Sequence, residues 1–483
     1  MTDDARAAAA LSARDRHLAD RFSYGYTPGL ATQIRRAGGG RAWFEKQLAP
    51  DRVKDAPGNA VRGWFPTLWY PPTKLWERHQ SGVAPAWEVM TDLGRWTLMR
   101  RVLSHRQLHE VMVEFWSNLL HIPLGDDEAW PYRVSYDQMI RTHALGRFDD
   151  MLVAATTHSS MGLYLDNATS TKDAPNENLG RELLELHSVG VESGYTEEDV
   201  LASARMLTGY RVDLWWPEFR AYYDPAAHWT GRIRVMGFTH RNAKADGRAA
   251  TEAYLRYLAH HPATASRLAR RLCVKFVHDT PSRALVSSVA RAFTRSGTDI
   301  KAALRALVAH PEFASAQGRK VRTPLEETTA TIRALRILPQ RPADDSSFAN
   351  AIFWAISGQG MTPYGWPAPN GFPEVNLAWS SAGRVLDSLS VQRSLANQWW
   401  PTQDARFPSD ASWLPDLPAS FGAVVDHMAQ RLLGEPAGDR LRAAVSVRTG
   451  LALSRRVTVS DLSASRIRQV LMIMLGSPAH MTR

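Results

Sequence analysis

What the chain has little of narrows its chemistry first. Cys273 is the single cysteine in 483 residues, so no intramolecular disulfide can close and no zinc cluster can be assembled from cysteines. No apolar run reaches about 18 residues, which excludes a transmembrane helix and integral membrane association. The early stretch ARAAAALSA is short and runs into Arg14, Asp15 and Arg16, a poor secretory signal, so as written the chain is expected in the cytoplasm. A GxSxG elbow, a phosphate-binding P-loop and a GxGxxG turn after a strand are all missing. Elbow-type hydrolysis, P-loop nucleotide chemistry and a Rossmann cofactor therefore have no support. Lys and Arg number 58 against 48 Asp and Glu, a net charge of +10, yet the basic residues are scattered through helical stretches such as RLARRLCVKF. That argues against specific nucleic-acid recognition and leaves attraction to an anionic polymer or glycan open.

What is present is helical periodicity. Apolar residues recur at helical spacing through most of the chain, which predicts a mainly α, multi-helical protein. At this length one compact core is unlikely to suffice, so two helical lobes are expected, residues 1–245 and 246–483. A small β excursion is predicted around 209–238, where YRVDLWW, FRAYYD and RIRVMGF are short, aromatic or β-branched, and interrupted by Pro217, Pro225 and Gly231. Two stretches rich in proline and aromatics, 55–84 and 360–375, read as packed loops, the second placed to cover a cleft or brace the lobes. Seventeen tryptophans keep a carbohydrate-facing surface in view.

The densest chemistry lies in PNENLGRELLELHSVGVESGYTEEDV, from Pro175 to Val200. Asn176 is a good N-cap, and Gly190 and Gly194 are stops, so a helix of about four turns is predicted from Glu177. At about 100° per residue, Glu177, Asn178, Arg181, Glu182 and Glu185 share one face, while Leu183, Leu184 and His187 lie on the other. The polar face is either a solvated i, i+4 ladder or the lining of a cleft in which Arg181 holds two carboxylates for metal binding or proton transfer. A second polar stripe, Glu110, Glu114, Ser117, Asn118 and His121, is predicted on a helix that Ser104 can cap. Asp166 and Asn167 open the polar loop ATSTKDA ahead of the first stretch, and His228 sits in the loop within the β excursion.

The Pro175–Val200 stretch, with LYLDN before it and ARMLTGY after it, resembles the DUF1800 family, a bacterial domain of unknown function. The likeness continues in EFWSNLLH, HWTGRIRVMGF, HHPATASRLARRLCVKFVHD, VAHPEF and WPAPNGFP, covering residues from about 20 to about 400. In the family a histidine often stands where this chain has Leu119, so His121 would have to replace it; a family histidine also falls near His228. The resemblance further implies a DUF1501-like partner, and with it export by co-transport with a signal-bearing protein.

The leading expectation is an enzyme of unassigned reaction, a metal-dependent oxidoreductase or hydrolase or a metal-free acid/base catalyst, with its site between the Glu114–His121 and Glu177–His187 helices. Its candidate catalytic residues are Glu177, Arg181, Glu182, Glu185, His187 and His228, and its candidate binding residues Asn118, Asp166, Asn167 and Asn176. Glu114, His121, Glu182 and His228 are the candidate ligands for a divalent iron, manganese or zinc ion. The rivals are a non-catalytic helical scaffold that escorts a DUF1501-like partner, and a binder of acidic glycans.

Overall fold

Side-chain caps begin many of the helices. In the computed structural model, which describes residues 10–126, 128–214 and 219–483, the Ser12 hydroxyl accepts the Asp15 N–H at the head of α1 (Ala13–Phe22). Thr27 does the same for α2 (Pro28–Ala37), which Gly38 closes in the left-handed conformation only glycine adopts freely. The 55–84 stretch departs from the packed loop predicted for it. It forms short helical segments, Ala56–Ala60, Val61–Trp64 and Pro66–Trp69, followed by the longer helix Pro72–Gln80. Pro57, Pro66 and Pro72 each fall in a first helical turn, where a missing N–H costs nothing, so proline divides the helix here without abolishing it. The aromatics of this stretch pack inward: Trp76 stacks on Phe219 at 4.7 Å and Trp69 meets Trp96 edge-on at 5.2 Å.

Two long helices follow, α3 (Ala86–Leu103) and α4 (Gln107–Leu119). Ser104 lies between them but does not cap α4 at its first residue; its hydroxyl donates to Asp55 at 2.7 Å and accepts the Arg106 N–H. After α5 (Trp130–His143), the predicted four-turn helix proves shorter and mixed. It is α-helical only over α6 (Glu177–Glu182) and then widens into a π turn, Leu183–His187. An extra residue per turn shifts every later position around the axis, so the 100° rule fails beyond Glu182. Gly180 explains why α6 lies so close to α7 (Glu197–Leu207): a Cβ there would stand 2.8 Å from the Ala204 backbone nitrogen. The head of α7 is a reciprocal capping box between Thr196 and Asp199.

The β excursion consists of two antiparallel pairs, β1 (Tyr210–Val212) with β2 (Ala221–Tyr223) and β3 (Ile233–Val235) with β4 (Phe238–His240). Trp215, Trp216 and Pro217, which entered the prediction, lie outside the described residues, as do the first nine residues of the chain. Helices then resume with α8 (Pro262–Phe276), α9 (Pro324–Ala334) and α10 (Phe348–Gly358) among others, and His261 and His310 each cap the helix that starts at the following proline. Two small strand pairs, Leu338–Pro339 with Ala405–Arg406 and Ala419–Ser420 with Arg456–Val457, interrupt a region whose periodicity is helical throughout.

The fold is mainly α, and its buried apolar side chains form one continuous cluster drawn from both sides of residue 245. Phe22 stacks on Phe276 at 4.9 Å, and the buried Arg21 guanidinium donates to the carbonyls of Val277 and Ala316. α3 and α10 touch where Gly94 leaves room; a Cβ on it would come within 2.4 Å of the Phe353 ring. Cys273 is buried in α8, and burial pushes its thiol up to about 12, the inert state expected of it. Among the described residues no helix is long and apolar enough to cross a membrane.

Candidate functional site

α4 is amphipathic in sequence, yet both of its faces are inside the protein. Its polar residues must therefore find partners, because a buried unpaired carboxylate is costly. Glu110 is fully clasped: one oxygen accepts from Arg100 at 2.8 and 2.9 Å, the other from Arg141 at 2.7 Å. Burial would raise its pKa, but Arg141 and Arg100 outweigh it and hold the carboxyl well below the usual range. One turn on, Glu114 accepts the Tyr24 hydroxyl at 2.6 Å and the Lys275 ammonium at 3.0 Å. Lys275 also donates to Glu326 at 2.9 Å, and Glu326 in turn meets the Arg483 guanidinium at 2.9 Å. Burial opposes ionisation of Glu114 and Glu326, and the neighbouring cations reverse it, so both stay ionised and Lys275 stays charged.

The next polar positions of the stripe hold the 360–375 loop. Asn118 makes a two-way pair with Phe372, donating to its carbonyl at 2.8 Å and accepting its N–H at 2.6 Å. Gly371 permits this approach, since it has φ 69° and a Cβ on it would fall 2.1 Å from the Asn118 carbonyl oxygen. His121 donates from Nε2 to the Trp366 carbonyl at 2.7 Å, and burial lowers its pKa to about 4, so it is neutral at pH 7. The loop thus roofs a narrow cavity whose water-accessible interior is only about 30 Å³. Arg101, Glu114, Ser117, Lys275, Tyr364 and Glu374 bring polar groups to its wall, and Leu325, Met361 and Phe372 supply apolar surface.

Among the described residues the wall is not fully satisfied. The Glu374 side chain is 6% exposed, neither of its oxygens has a hydrogen-bond partner, and its nearest cation, Arg271 Nε, stands 3.8 Å away. Arg101 is 2% exposed, with Nε and Nη1 making no hydrogen bond; it lies over the Tyr24 and Tyr364 rings and 3.8 Å from Glu114. The Ser117 hydroxyl is also without a partner. A carboxylate, a guanidinium and a hydroxyl with unused hydrogen-bonding capacity thus line one pocket.

The cavity does not lie between the two helices for which a site was predicted. α4 lines it and α6 does not, although His187, just beyond α6, lies near His121. On α6 the polar face is a surface ladder: Arg181 joins Glu197 at 2.5 Å and Glu177 at 3.4 Å and straps α6 to α7. Glu185 accepts the Tyr195 hydroxyl at 3.0 Å. Glu182 is half-buried, with one oxygen lacking a partner and its pKa raised by burial and by Glu185. His187 is enclosed, its pKa lowered to about 3 by burial and the Arg267 charge. Asn176 caps α6, Asp166 accepts from Asn178 at 3.0 Å, and Asn167 donates to the Leu207 carbonyl at 3.0 Å. His228 is locked in its loop, with Nδ1 on the Thr208 carbonyl, Nε2 on the Asn242 amide oxygen, and Gly247 packed against its ring.

The metal candidates do not converge. Among the described residues no three His, Cys, Asp or Glu side chains gather as a ligand set. Glu114 and His121 share the cavity, but Glu114 is committed to Lys275 and Tyr24, and His121 to the Trp366 carbonyl. Glu182 and His228 belong to other neighbourhoods. These residues as placed do not fit an iron, manganese or zinc centre.

The family model described as a protein of unknown function, DUF1800, matches residues 17–482, nearly the whole chain. The chain belongs to the DUF1800 family. No curated protein and no solved structure matches it. In this DUF1800 protein the wall residues that sequence reasoning missed are Arg101, Lys275, Tyr364 and Glu374. Lys275 carried a signal: it sits seven residues after Leu268 and three after Leu272, a charge on the apolar stripe of α8. Arg101 carried none, because α3 is buried nearly all round and has no polar face to depart from. Glu374 lies in a loop, where no periodicity applies.

Proposed function

We propose that this DUF1800 protein is an enzyme that uses the cavity between α4 and the 360–375 loop for acid/base chemistry on a small polar substrate. In this reading Glu374 is the proton-transfer group, and Arg101 and Lys275 form the cationic wall that holds an anionic or carbonyl group of the substrate. The observation that supports it is the Glu374 carboxylate, buried at the cavity with neither oxygen hydrogen-bonded. Leaving such a group unpaired lowers stability, which is reasonable where a ligand supplies the missing partner. The test is turnover, followed by NMR, on a panel of small amine- and carboxylate-bearing esters and amides. A substrate found in this way should be turned over at least about a hundredfold more slowly by Glu374→Gln, with the melting temperature kept. If no panel member binds the parent protein and Glu374→Gln melts higher, the carboxylate is only a buried liability and the reading fails.

The escort reading has its own observation. Trp399 and Trp400 are adjacent, 59% and 54% exposed, directly after the helix Ala382–Ala396. Exposed neighbouring tryptophans favour a protein interface. In this reading the partner is a DUF1501-like protein, and co-transport with it would carry the chain out of the cytoplasm. Trp399→Ser with Trp400→Ser should abolish its capture by a co-expressed partner of that kind; retained capture removes this support. The acidic-glycan reading rests on the net charge of +10 and the seventeen tryptophans.

A further inference from the structure

A second groove, about 930 Å³ counted out to solvent, lies between the head of α2, the junction of α3 with α4, and the end of α9. Its charged and titratable wall residues are Arg333, Arg336 and His105, and among the described residues no carboxylate lines it. Several inward-facing arginines are neutralised, Arg100 and Arg141 by Glu110 and Arg384 by Glu327, while Arg21 is held by the carbonyls of Val277 and Ala316. Arg333 and Arg336 meet no carboxylate among the described residues, and both line an open groove. Arg333 donates to the Val102 carbonyl at 2.7 Å; Arg336 donates to the Ser412 hydroxyl at 2.8 Å and stacks on the Trp413 ring at 4.4 Å. Each Nε is buried without a partner, and neither guanidinium is paired with a carboxylate. Burial without a counter-charge lowers both groups to about 10, so a bound anion would relieve them. Asp55, which holds Ser104 and His105 of the groove wall, is already taken by the Ser104 hydroxyl, the His105 N–H and Arg100.

Leu30, Val102, Ile337 and Leu338 give the groove apolar surface beside the neutral polar Thr27, Gln33, Ser104 and Gln107, and the first turn of α2 adds the positive end of a ten-residue helix. We propose that this groove binds a small organic anion, its carboxylate or phosphate end held by Arg333 and Arg336 and its apolar body laid along Leu30, Val102, Ile337 and Leu338. Guanidinium forks suit either end group. The site is separate from the cavity under the 360–375 loop and stands independently of the reading given to that cavity.

Calorimetric titration of the whole protein with phenyl phosphate, benzoate and neutral benzyl alcohol tests this. One or both anions should bind while the alcohol does not, and raising the salt concentration should weaken the anion. Phenyl phosphate alone would mark a phosphoester ligand, and benzoate alone a carboxylic acid. Arg336→Gln should weaken binding by about tenfold or more. Because Arg336 also holds Ser412, Gln33→Glu is the companion: it sets a negative charge in the groove wall, breaks none of the arginine contacts, and should weaken the anion by a similar factor with the melting temperature unchanged. The proposal is overturned if neither anion binds, if the alcohol binds as well as the anions, or if binding is indifferent to both substitutions.

Discussion

Two acid–base clusters of similar composition sit on helices of similar sequence character and end up doing different things. On α6, Glu177, Arg181 and Glu197 form a ladder with side chains 35% to 75% exposed. Around α4, Glu114, Lys275, Glu326 and Arg483 form a chain of charges with side chains no more than 10% exposed. Water solvates the first cluster whether or not its members touch. The second has no solvent to fall back on, so each charge depends on the next. The spacing of polar residues along a helix does not distinguish these cases; what packs over the helix does.

Breaking the two clusters should separate them. Lys275→Met leaves Glu114 and Glu326 facing each other without their shared cation, and should cost about 3–5 kcal/mol in urea unfolding. Acid should act next. The folded pKa of His121 is lowered to about 4 from 6.5, so the unfolded chain takes that proton first. Its contribution to stability is therefore present above pH 6.5 and lost as pH falls toward about 4. His121→Asn should remove its own share of the drop in urea stability across that window, about 1–3 kcal/mol, and leave the shares of the other depressed histidines, His187 among them. Below about pH 4.5 the depressed Glu114 and Glu326 carboxyls should add a further loss, since their stabilisation is present above the unfolded pKa and disappears as they are protonated. Arg181→Ala, at the other extreme, should leave the unfolding midpoint within measurement error. A large loss there would mean that the strap between α6 and α7 bears more than a solvated ladder can.

Much of the fold could be read in the sequence. The helical periodicity gave the mainly α fold, and the predicted cap Asn176 does cap α6, because a cap is local chemistry and local chemistry survives folding. The β excursion fell where β-branched and aromatic residues cluster. The helices of 55–84 were hidden because proline was taken as a breaker where it occupies first turns, and the π turn after Glu182 has no composition of its own. Of the polar stripe on α4, Glu114, Asn118 and His121 line the candidate cavity, and the 360–375 loop covers it. The more conspicuous run from Glu177 to Glu185 drew attention to a surface. Lys275 and Glu374 reach the cavity from residues more than 150 positions away along the chain, and no local pattern connects such distant positions.

The two-way pair between Asn118 and Phe372 makes the roof and the carboxylate a single mechanical part. Glu374 follows Phe372 by two residues, so any lift of the loop that opened the cavity would withdraw that carboxylate in the same stroke. On the function proposed above, admission of a substrate and readiness of Glu374 would then be mutually exclusive postures of one lever, with Gly371 as its fulcrum.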